Sequence, residues 1–160
     1  MKKLSIILPT YNEKSNIIIL VNKIIKILKN YQKKEIIIVD DLSPDNTYSL
    51  VKKKFKKKKF VKAFQRKKDF SLAKSIGFGI KKSKGQLIIV MDTDFTHNPN
   101  MISKLIYYCK KHDLVSASRF VKGGSMYSLF HYVLSLIFNF FLAILLNSQM
   151  KDNLGGYYCI

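Results

Sequence analysis

Apolar and polar residues alternate in blocks along the first 120 positions of the chain. Short, mainly apolar runs at residues 4–8, 36–39, 60–64, 87–91 and 114–118 predict strands. Between them, the stretches 15–28, 48–55, 72–82 and 100–111 carry apolar residues at helical spacing and predict helices. Because strand and helix alternate from the first residues onward, the pattern predicts a doubly wound α/β sheet.

Acidic residues gather where the predicted strands end. In a doubly wound sheet, ligands bind outside the carboxyl ends of the strands, at the point where the strand order reverses. The chain has only 10 Asp and Glu against 29 Lys and Arg, and half of these acids lie at such strand ends. This concentration indicates a site for a metal ion with a phosphorylated ligand, although acids at strand ends also form ordinary turns. The acids concerned are Glu13, Asp40, Asp41, Asp92 and Asp94.

The segment Asp92-Thr93-Asp94 is the strongest candidate for metal binding. It directly follows the apolar run 87–91, so both carboxylates are expected at the end of a buried strand. Mg²⁺ and Mn²⁺ prefer oxygen ligands and are commonly held by one or two carboxylates together with substrate phosphates. The spacing therefore predicts a site for Mg²⁺ or Mn²⁺.

Four segments resemble, in the same order, the motifs of family 2 glycosyltransferases with the GT-A fold, a Rossmann-like mixed sheet. They are residues 9–13 (PTYNE), 38–47 (IVDDLSPDNT), 91–99 (MDTDFTHNP) and 118–124 (SRFVKGG). The last two are most similar to the branch of dolichyl- and polyprenyl-phosphate mannosyltransferases. The resemblance covers residues 9–124 and implies a GT-A fold.

The resemblance also implies roles for individual residues. Asp92 and Asp94 would hold Mg²⁺ or Mn²⁺ on the diphosphate of a nucleotide sugar, with Thr96 as a weaker third ligand or replaced by water. Arg119, one of only two arginines, would pair with a phosphate and act with the two acids in catalysis, unless it is an ordinary surface cation. The nucleotide-sugar pocket would be formed by Pro9, Tyr11, Glu13, Asp92 and either Asp40 or Asp41, which would bind the base.

The implied reaction is attack of an acceptor oxygen on the anomeric carbon of the sugar, with inversion. The implied donor is GDP-mannose or a UDP-sugar, and the implied acceptor is a polyprenyl or dolichyl phosphate. A phosphate oxygen is already ionised at neutral pH, so this reaction requires no catalytic base. The sequence agrees, because no convincing base follows the metal motif.

The chain departs from the family pattern at several positions. Leu42 and Asn46 replace two glycines of the second motif, and residues 152–158 only loosely resemble the family's D-x-x-S-G-F-R segment. The family normally continues past position 160, so we expect a C-terminally truncated member. Two alternatives stay open: an inactive relative that binds nucleotide or membrane, and a phosphatase of the D-x-D-x-T type.

A long apolar segment follows the fourth motif. Residues 126–146 are rich in Leu, Ile, Phe and Tyr, but Ser128, His131, Ser135 and Asn139 fall on one helical face. A helix with one mildly polar face is typical of the membrane interface. The alternatives for this segment are a transmembrane helix and a helix buried in the protein core. We therefore expect residues 1–122 to form the catalytic domain and residues 123–160 a membrane-associated region.

The charge of the chain favours the same location. The net charge is +19, and residues 52–68 contain 11 Lys or Arg. Near an anionic membrane each basic residue contributes about 1 kcal/mol of attraction. Nucleic acid is the other polyanion that such a cluster could bind, but no nucleic-acid motif accompanies it, so we expect none as a partner. With no signal peptide expected, the sequence predicts a protein at the cytoplasmic face of the cell membrane.

Overall fold

The computed structural model describes residues 2–121 and 128–160. Lys122, Gly123 and Gly124 of the fourth motif, the predicted domain boundary after residue 122 and the start of the 126–146 segment lie outside the described residues. The strands are β1 (Leu4–Thr10), β2 (Lys34–Asp40), β3 (Val61–Gln65), β4 (Leu87–Val90), β5 (Val115–Ser116) and β6 (Tyr158–Cys159). The α-helices are α1 (Ile17–Ile27), α2 (Thr47–Lys54), α3 (Leu72–Lys82), α4 (Ile102–Tyr108) and α5 (Leu129–Leu145).

The strands form one mixed sheet in the order β3-β2-β1-β4-β6-β5. β1 pairs in parallel with both β2 and β4, and β2 pairs in parallel with β3. β6 is antiparallel to both of its neighbours, β4 and β5. The strand order reverses between β1 and β4, so the predicted doubly wound α/β sheet and its switch point are confirmed.

The core forms on both faces of the central strand, since every residue of β1 is buried. Leu4, Ile6 and Leu8 face the layer that contains α1, and Ile7 between them faces α3. α3 approaches closely because it has a glycine at this contact: a Cβ on Gly79 would lie 2.5 Å from Cγ2 of Ile7. Burial on both faces explains why the sequence shows an unbroken apolar run here rather than alternation.

The predicted elements agree with the structure within a few residues, with two differences. Residues Pro99–Met101 form a 3-10 turn, and α4 ends at Tyr108 rather than near residue 111. The second difference is β6, which the sequence pattern did not predict. A strand of two residues is too short to carry a periodic signal, yet β6 joins β4 to β5 in the sheet.

α5 differs from the other helices because most of its apolar side chains face solvent. Phe130 and Phe140 are 72% and 71% exposed, and Asn139 is its one buried residue. The helix begins after Ser128, whose hydroxyl accepts a hydrogen bond from the His131 N–H. Within the described residues, no helix combines the length and the hydropathy that a membrane crossing takes.

Leu42 is expected to cost stability because its φ of 55° lies in the left-handed region. A residue with a Cβ loses about 1–2 kcal/mol there, whereas glycine adopts this conformation freely but loses more chain entropy on folding. We expect Leu42→Gly to be more stable than Leu42→Ala by about 1 kcal/mol, or about 2–4 °C in melting temperature. Thermal unfolding followed by circular dichroism measures the difference.

Leu42→Ala is the matched control, because it removes the exposed leucine side chain but keeps the Cβ. If the glycine and alanine variants melt at the same temperature, the backbone at position 42 is not strained.

Candidate functional site

The first two motifs form a pair of turns at the carboxyl ends of β1 and β2. Backbone N–H groups of residues 12–14 donate hydrogen bonds to the side chains of Ser43, Thr47 and Asp45, at 3.0, 3.1 and 2.9 Å. Asp45 also accepts from the Thr47 N–H at 2.9 Å. The two motifs therefore fold as one unit, although about 30 residues separate each pair of partners.

Asp40 is fully buried and holds this unit together. Its carboxylate accepts hydrogen bonds from the Ser43 N–H at 3.0 Å and from the Ser43 hydroxyl. The Thr10 hydroxyl and the Gln65 amide lie at the longer distance of 3.4 Å. With these partners on both oxygens, Asp40 is placed to shape the loop rather than to meet a ligand.

Asp41 is also engaged, but less completely. Its Oδ1 accepts from Arg66 Nη1 at 2.9 Å and from the Ser75 hydroxyl at 2.7 Å. Among the described residues, Oδ2 accepts from Arg66 Nη1 alone, at 3.2 Å. This network joins β2, the residue after β3 and α3. Of the two acids between which the sequence could not choose, Asp41 retains more capacity for a ligand.

The remaining residues of the first motif differ in accessibility. Pro9 is buried within β1, opposite Val39 of β2. Tyr11 is 61% exposed, so its ring is available to a ligand. Glu13 is half-buried and accepts a hydrogen bond from the Asn16 amide at 2.9 Å. Tyr11 and Glu13 are thus reachable from the rim, whereas Pro9 supports them from inside.

Asp92 and Asp94 lie just after β4, next to the switch point. Asp92 is partly buried, and Asp94 is exposed. Asp94 Oδ1 accepts from the N–H and the hydroxyl of Thr96 at 3.0 and 2.6 Å, which closes a tight turn with Phe95 at a φ of 65°. The Thr96 hydroxyl therefore donates to Asp94, and only its oxygen lone pairs could reach a metal ion.

The electrostatics of the two acids suit a divalent cation. Burial raises the pKa of Asp92, and the nearby charge of Asp94 raises it further, while His97 opposes the rise. Burial acts in the same direction on Asp94, but the hydrogen bonds from Thr96 lower its pKa below the ordinary value. The carboxylates are therefore close enough to repel each other, and a cation between them would relieve that repulsion.

Within the described part of the chain, Asp92 and Asp94 are not joined by a third acidic, histidine or cysteine ligand. Across residues 2–121 and 128–160, no cluster of three or more such side chains is arranged to hold a metal ion. Two carboxylates fit Mg²⁺ or Mn²⁺ when substrate phosphates and water supply the other ligands, because these ions are commonly bound in that way.

His97 orients the metal motif, a role that the sequence did not reveal. Its Nδ1 accepts the Asp92 N–H at 2.9 Å, which leaves the proton on Nε2, 3.6 Å from Asp92 Oδ2. The ring stacks on Tyr157 with centroids 5.0 Å apart. Burial lowers the pKa of His97, although both aspartates oppose this. The only signal in the sequence was the position of His97 within the third motif.

Residues 152–159 return to the rim from the far end of the chain. A Cβ on Gly156 would lie 3.4 Å from Asp92 Oδ2 and 3.3 Å from His97 Cε1, so the backbone passes directly beside the metal motif. The Tyr157 hydroxyl donates to the carbonyl of Asn98 at 3.1 Å. This segment, which resembles the family's D-x-x-S-G-F-R segment only loosely, forms one wall of the site.

Arg119 is held by a partner that the sequence did not predict. Its Nε and Nη2 donate to the two oxygens of Asp152 at 2.9 and 2.8 Å, and Asp152 is only 1% exposed. The hydrogen bonds that Arg119 donates to Asp152 raise the pKa of Arg119. Arg119 also lies near the metal motif, since its charge is one of the influences that lower the pKa of His97.

Comparison with known proteins agrees with the motifs. Residues 5–158 match the family model described as Glycosyl transferase family 2. Dolichol-phosphate mannosyltransferase of Pyrococcus furiosus is 39% identical over 127 residues, covering 78% of this chain and 35% of the relative. Undecaprenyl-phosphate 4-deoxy-4-formamido-L-arabinose transferase of Yersinia enterocolitica is 28% identical, covering 100% and 48%. The chain thus spans less than half the length of these two curated relatives.

A solved structure extends the likeness over almost the whole fold. Glucosyl-3-phosphoglycerate synthase from Mycobacterium tuberculosis, crystallised with Mn²⁺, uridine diphosphate and phosphoglyceric acid, superimposes with a TM-score of 0.71. The match covers 99% of this chain and 55% of that one at 18% identity, so it carries the fold alone. That fold is the GT-A-like mixed α/β sheet expected from the motifs.

We expect the two metal-motif acids to affect stability in opposite directions when no metal is bound. The raised pKa of Asp92 means that its ionised form destabilises the native state above that pKa, so Asp92→Asn should raise the melting temperature at pH 7. The lowered pKa of Asp94 means that its ionised form stabilises the native state above the unfolded pKa, so Asp94→Asn should lower it.

Each change is expected to be a few degrees at most. Thermal unfolding in a chelating buffer measures both differences in melting temperature. The Asp92→Asn difference should narrow as the pH falls through the raised pKa of Asp92 toward about 4, whereas the Asp94→Asn difference should narrow only below about 4. A loss of melting temperature in both variants would contradict the assigned repulsion.

Proposed function

The chain belongs to glycosyl transferase family 2, and we propose that it transfers a hexose from a nucleotide sugar to a polyprenyl or dolichyl phosphate, with inversion. The observation that carries this proposal is the pair Asp92 and Asp94 at the switch point of the sheet. Gly156 passes beside Asp92, and Asp152 of the same segment binds the guanidinium of Arg119. One rim of the sheet then carries two carboxylates that could bind a metal ion and a guanidinium that could bind a phosphate.

The nucleotide sugar would bind along the carboxyl ends of β1 and β2. Tyr11 and Glu13 are accessible there, and Asp41 would hydrogen-bond the base through Oδ2, which accepts one hydrogen bond, from Arg66, within the described residues. Asp40 and Pro9 would shape the pocket from within, because both are buried. The likeness to a structure crystallised with uridine diphosphate supports this placement.

Asp92 and Asp94 would hold Mg²⁺ or Mn²⁺, with Thr96 as an occasional oxygen donor. The bound ion would neutralise the charge that develops on the departing nucleotide diphosphate. The repulsion between the two carboxylates supports this assignment, as does the Mn²⁺ in the structural relative. His97 would keep Asp92 in place by accepting a hydrogen bond from its backbone N–H.

The acceptor would be an ionised phosphate oxygen that needs no catalytic base. The two acids that follow the metal motif in the sequence are both poorly placed to act as a base. Asp152 is buried and occupied by Arg119, and Asp113 is exposed between α4 and β5. Arg119 would then bind the acceptor phosphate and orient its oxygen toward the sugar.

The donor is proposed to be GDP-mannose, with a UDP-sugar as the alternative. The mannosyltransferase name of the relative at 39% identity supports GDP-mannose, and the uridine diphosphate in the structural relative supports the alternative. A second candidate function is an inactive relative that binds nucleotide or membrane, because Leu42 and Asn46 replace two glycines of the family's second motif and both have a positive φ.

The membrane surface would be contacted by α5. Its exposed apolar side chains form an unusually large apolar surface, and a helix of this kind inserts into the interface between headgroups and acyl chains. The proposed division is a catalytic domain over residues 1–122 and a membrane-associated region over residues 123–160, at the cytoplasmic face. Both named relatives with polyprenyl or dolichol phosphate substrates support a membrane location.

Nucleotide binding should require both the metal ion and Asp94. In calorimetric titrations with GDP-mannose and UDP-glucose, we expect binding of one donor by the wild-type chain in Mn²⁺ and at least a tenfold loss, about 1.4 kcal/mol, in chelator. Asp94→Asn should lose the metal dependence, because one of the two ligands is gone.

Asp113→Asn is the matched control, since it removes one exposed acid away from the rim and should bind like wild type. Metal-independent binding that survives in Asp94→Asn would remove the metal site from the proposal. Absence of binding to either donor in the wild-type chain would favour the inactive relative.

Membrane association should depend on α5 rather than on the lysine-rich residues 52–68. Ile137 and Phe141 are 60% and 62% exposed and lie one turn apart. Because each loses a large apolar side chain, we expect the double variant Ile137→Gln with Phe141→Gln to bind vesicles at least about tenfold more weakly. Flotation with phosphatidylcholine vesicles containing phosphatidylglycerol measures the loss.

The control variant changes Lys56, Lys58 and Lys59 to Gln. These lysines follow α2 at the amino ends of the strands, which is the edge of the sheet opposite the acidic rim. We expect this variant to float nearly as well as wild type. A larger loss in the lysine variant than in the α5 variant would assign the membrane contact to the lysines.

A further inference from the structure

Asp152 is a buried carboxylate near the rim that accepts four hydrogen bonds. Its Oδ2 accepts from the backbone N–H and from Nε of Arg119, at 3.0 and 2.9 Å, and its Oδ1 accepts from Nη2 at 2.8 Å. The Leu154 N–H adds a fourth hydrogen bond at 3.2 Å. Because both the backbone and the guanidinium of Arg119 are bound by one carboxylate, that side chain has a single orientation here.

This arrangement leaves one edge of the guanidinium for a ligand. Arg119 has five N–H groups, of which Nε and one of Nη2 are used by Asp152. Within residues 2–121 and 128–160, Nη1 donates no hydrogen bond. The Arg119 side chain is 34% exposed as a whole, and its Nε and Nη2 edge lies against the fully buried side chain of Asp152.

The same chain segment connects Arg119 to the metal motif and to α5. Three residues after Leu154, Tyr157 stacks on His97, and Gly156 passes beside Asp92. In the other direction, the Asn153 N–H donates at 2.6 Å to Oδ1 of Asn139, the buried residue of α5. Asp152 therefore lies in a segment that contacts the metal motif on one side and the apolar helix on the other.

We propose that Asp152 is a positioning residue that holds the Arg119 guanidinium so that its Nη1 edge faces the acceptor phosphate. The inference rests on the proposed function, in which Arg119 binds that phosphate. The ion pair has no net charge, so its value to the reaction lies in the direction of the N–H groups rather than in added positive potential.

A purely structural ion pair would have different consequences. If Asp152 only ties residues 152–159 to the sheet, its loss would lower stability and disturb donor and acceptor binding together. If Asp152 orients Arg119, its loss would act on the acceptor step selectively. Donor binding depends on Asp92 and Asp94, whose positions are fixed by His97 and by the turn at Thr96.

The test compares wild type, Asp152→Asn, Arg119→Lys and the double variant, well below their melting temperatures. Farnesyl phosphate serves as the acceptor, and farnesol as the probe that lacks the phosphate. We expect Asp152→Asn to lose at least about tenfold in kcat/KM for farnesyl phosphate, while the donor Kd stays within about twofold. Asp113→Asn is the charge-matched control and should resemble wild type.

The double variant separates orientation from stability. Arg119→Lys keeps a cation beside Asp152 but lacks the planar fork, so we expect the same acceptor defect. Without a fork to orient, adding Asp152→Asn should cause no further loss in kcat/KM, and the two effects should not add. Additive losses, or equal losses for donor and acceptor, would overturn the inference.

Two further arms keep the test decisive. If Asp152→Asn does not fold, Asp152→Glu retains the charge but displaces the carboxylate by one methylene, and wild-type kinetics in that variant would overturn the inference. If the wild-type chain transfers no sugar to farnesyl phosphate, the proposed function fails, and calorimetry decides the inference alone. Tighter binding of farnesyl phosphate than of farnesol that is lost in Asp152→Asn would support it, and equal binding in both proteins would overturn it.

Discussion

The parallel pairing of β1 with both β2 and β4 is the constraint on which the site depends. The register places Thr10 opposite Asp40 and Ile7 opposite Val90, so the carboxyl ends of all three strands reach one rim. Helices cover both faces, and the chain can leave the sheet only through polar turns at its edges. Acids that are 50 or 80 residues apart in sequence are therefore brought to the same rim, as Glu13, Asp41 and Asp94 illustrate.

The acids on the rim differ in the hydrogen bonds that their carboxylates accept. Asp40 and Asp45 are saturated by hydrogen bonds from neighbouring turns, so their burial is compensated within the protein. The Asp92 carboxylate accepts no hydrogen bond within the described residues, and burial and the charge of Asp94 raise its pKa while His97 opposes the rise. A bound cation would compensate this carboxylate, which supports the proposal that Asp92 is a metal ligand.

The sequence predicted the local elements well and the long-range contacts poorly. The predicted bounds 72–82 coincide with α3, since its apolar spacing and the Ser71 cap are both local signals. β6 was missed because its two residues gain their strand conformation from β4 and β5 rather than from any pattern of their own. The pairing of Arg119 with Asp152 was missed for the same reason: 33 residues and a helix separate the partners. The motifs are local in sequence, and only the topology of the sheet brings residues 152–159 beside them.

The position of α5 determines which side of the site would face the membrane. Residues 139 and 153 connect the exposed apolar helix to the segment that holds Arg119, whereas the lysines after α2 lie at the opposite edge of the sheet. A lipid phosphate has its charge at the membrane surface and its chain below it. Under the proposed function, a helix that rests on that surface would therefore bring the free edge of Arg119 to the height of the headgroup. The hydrogen bond from Asn153 to Asn139 would then make membrane contact and phosphate orientation parts of one rigid unit.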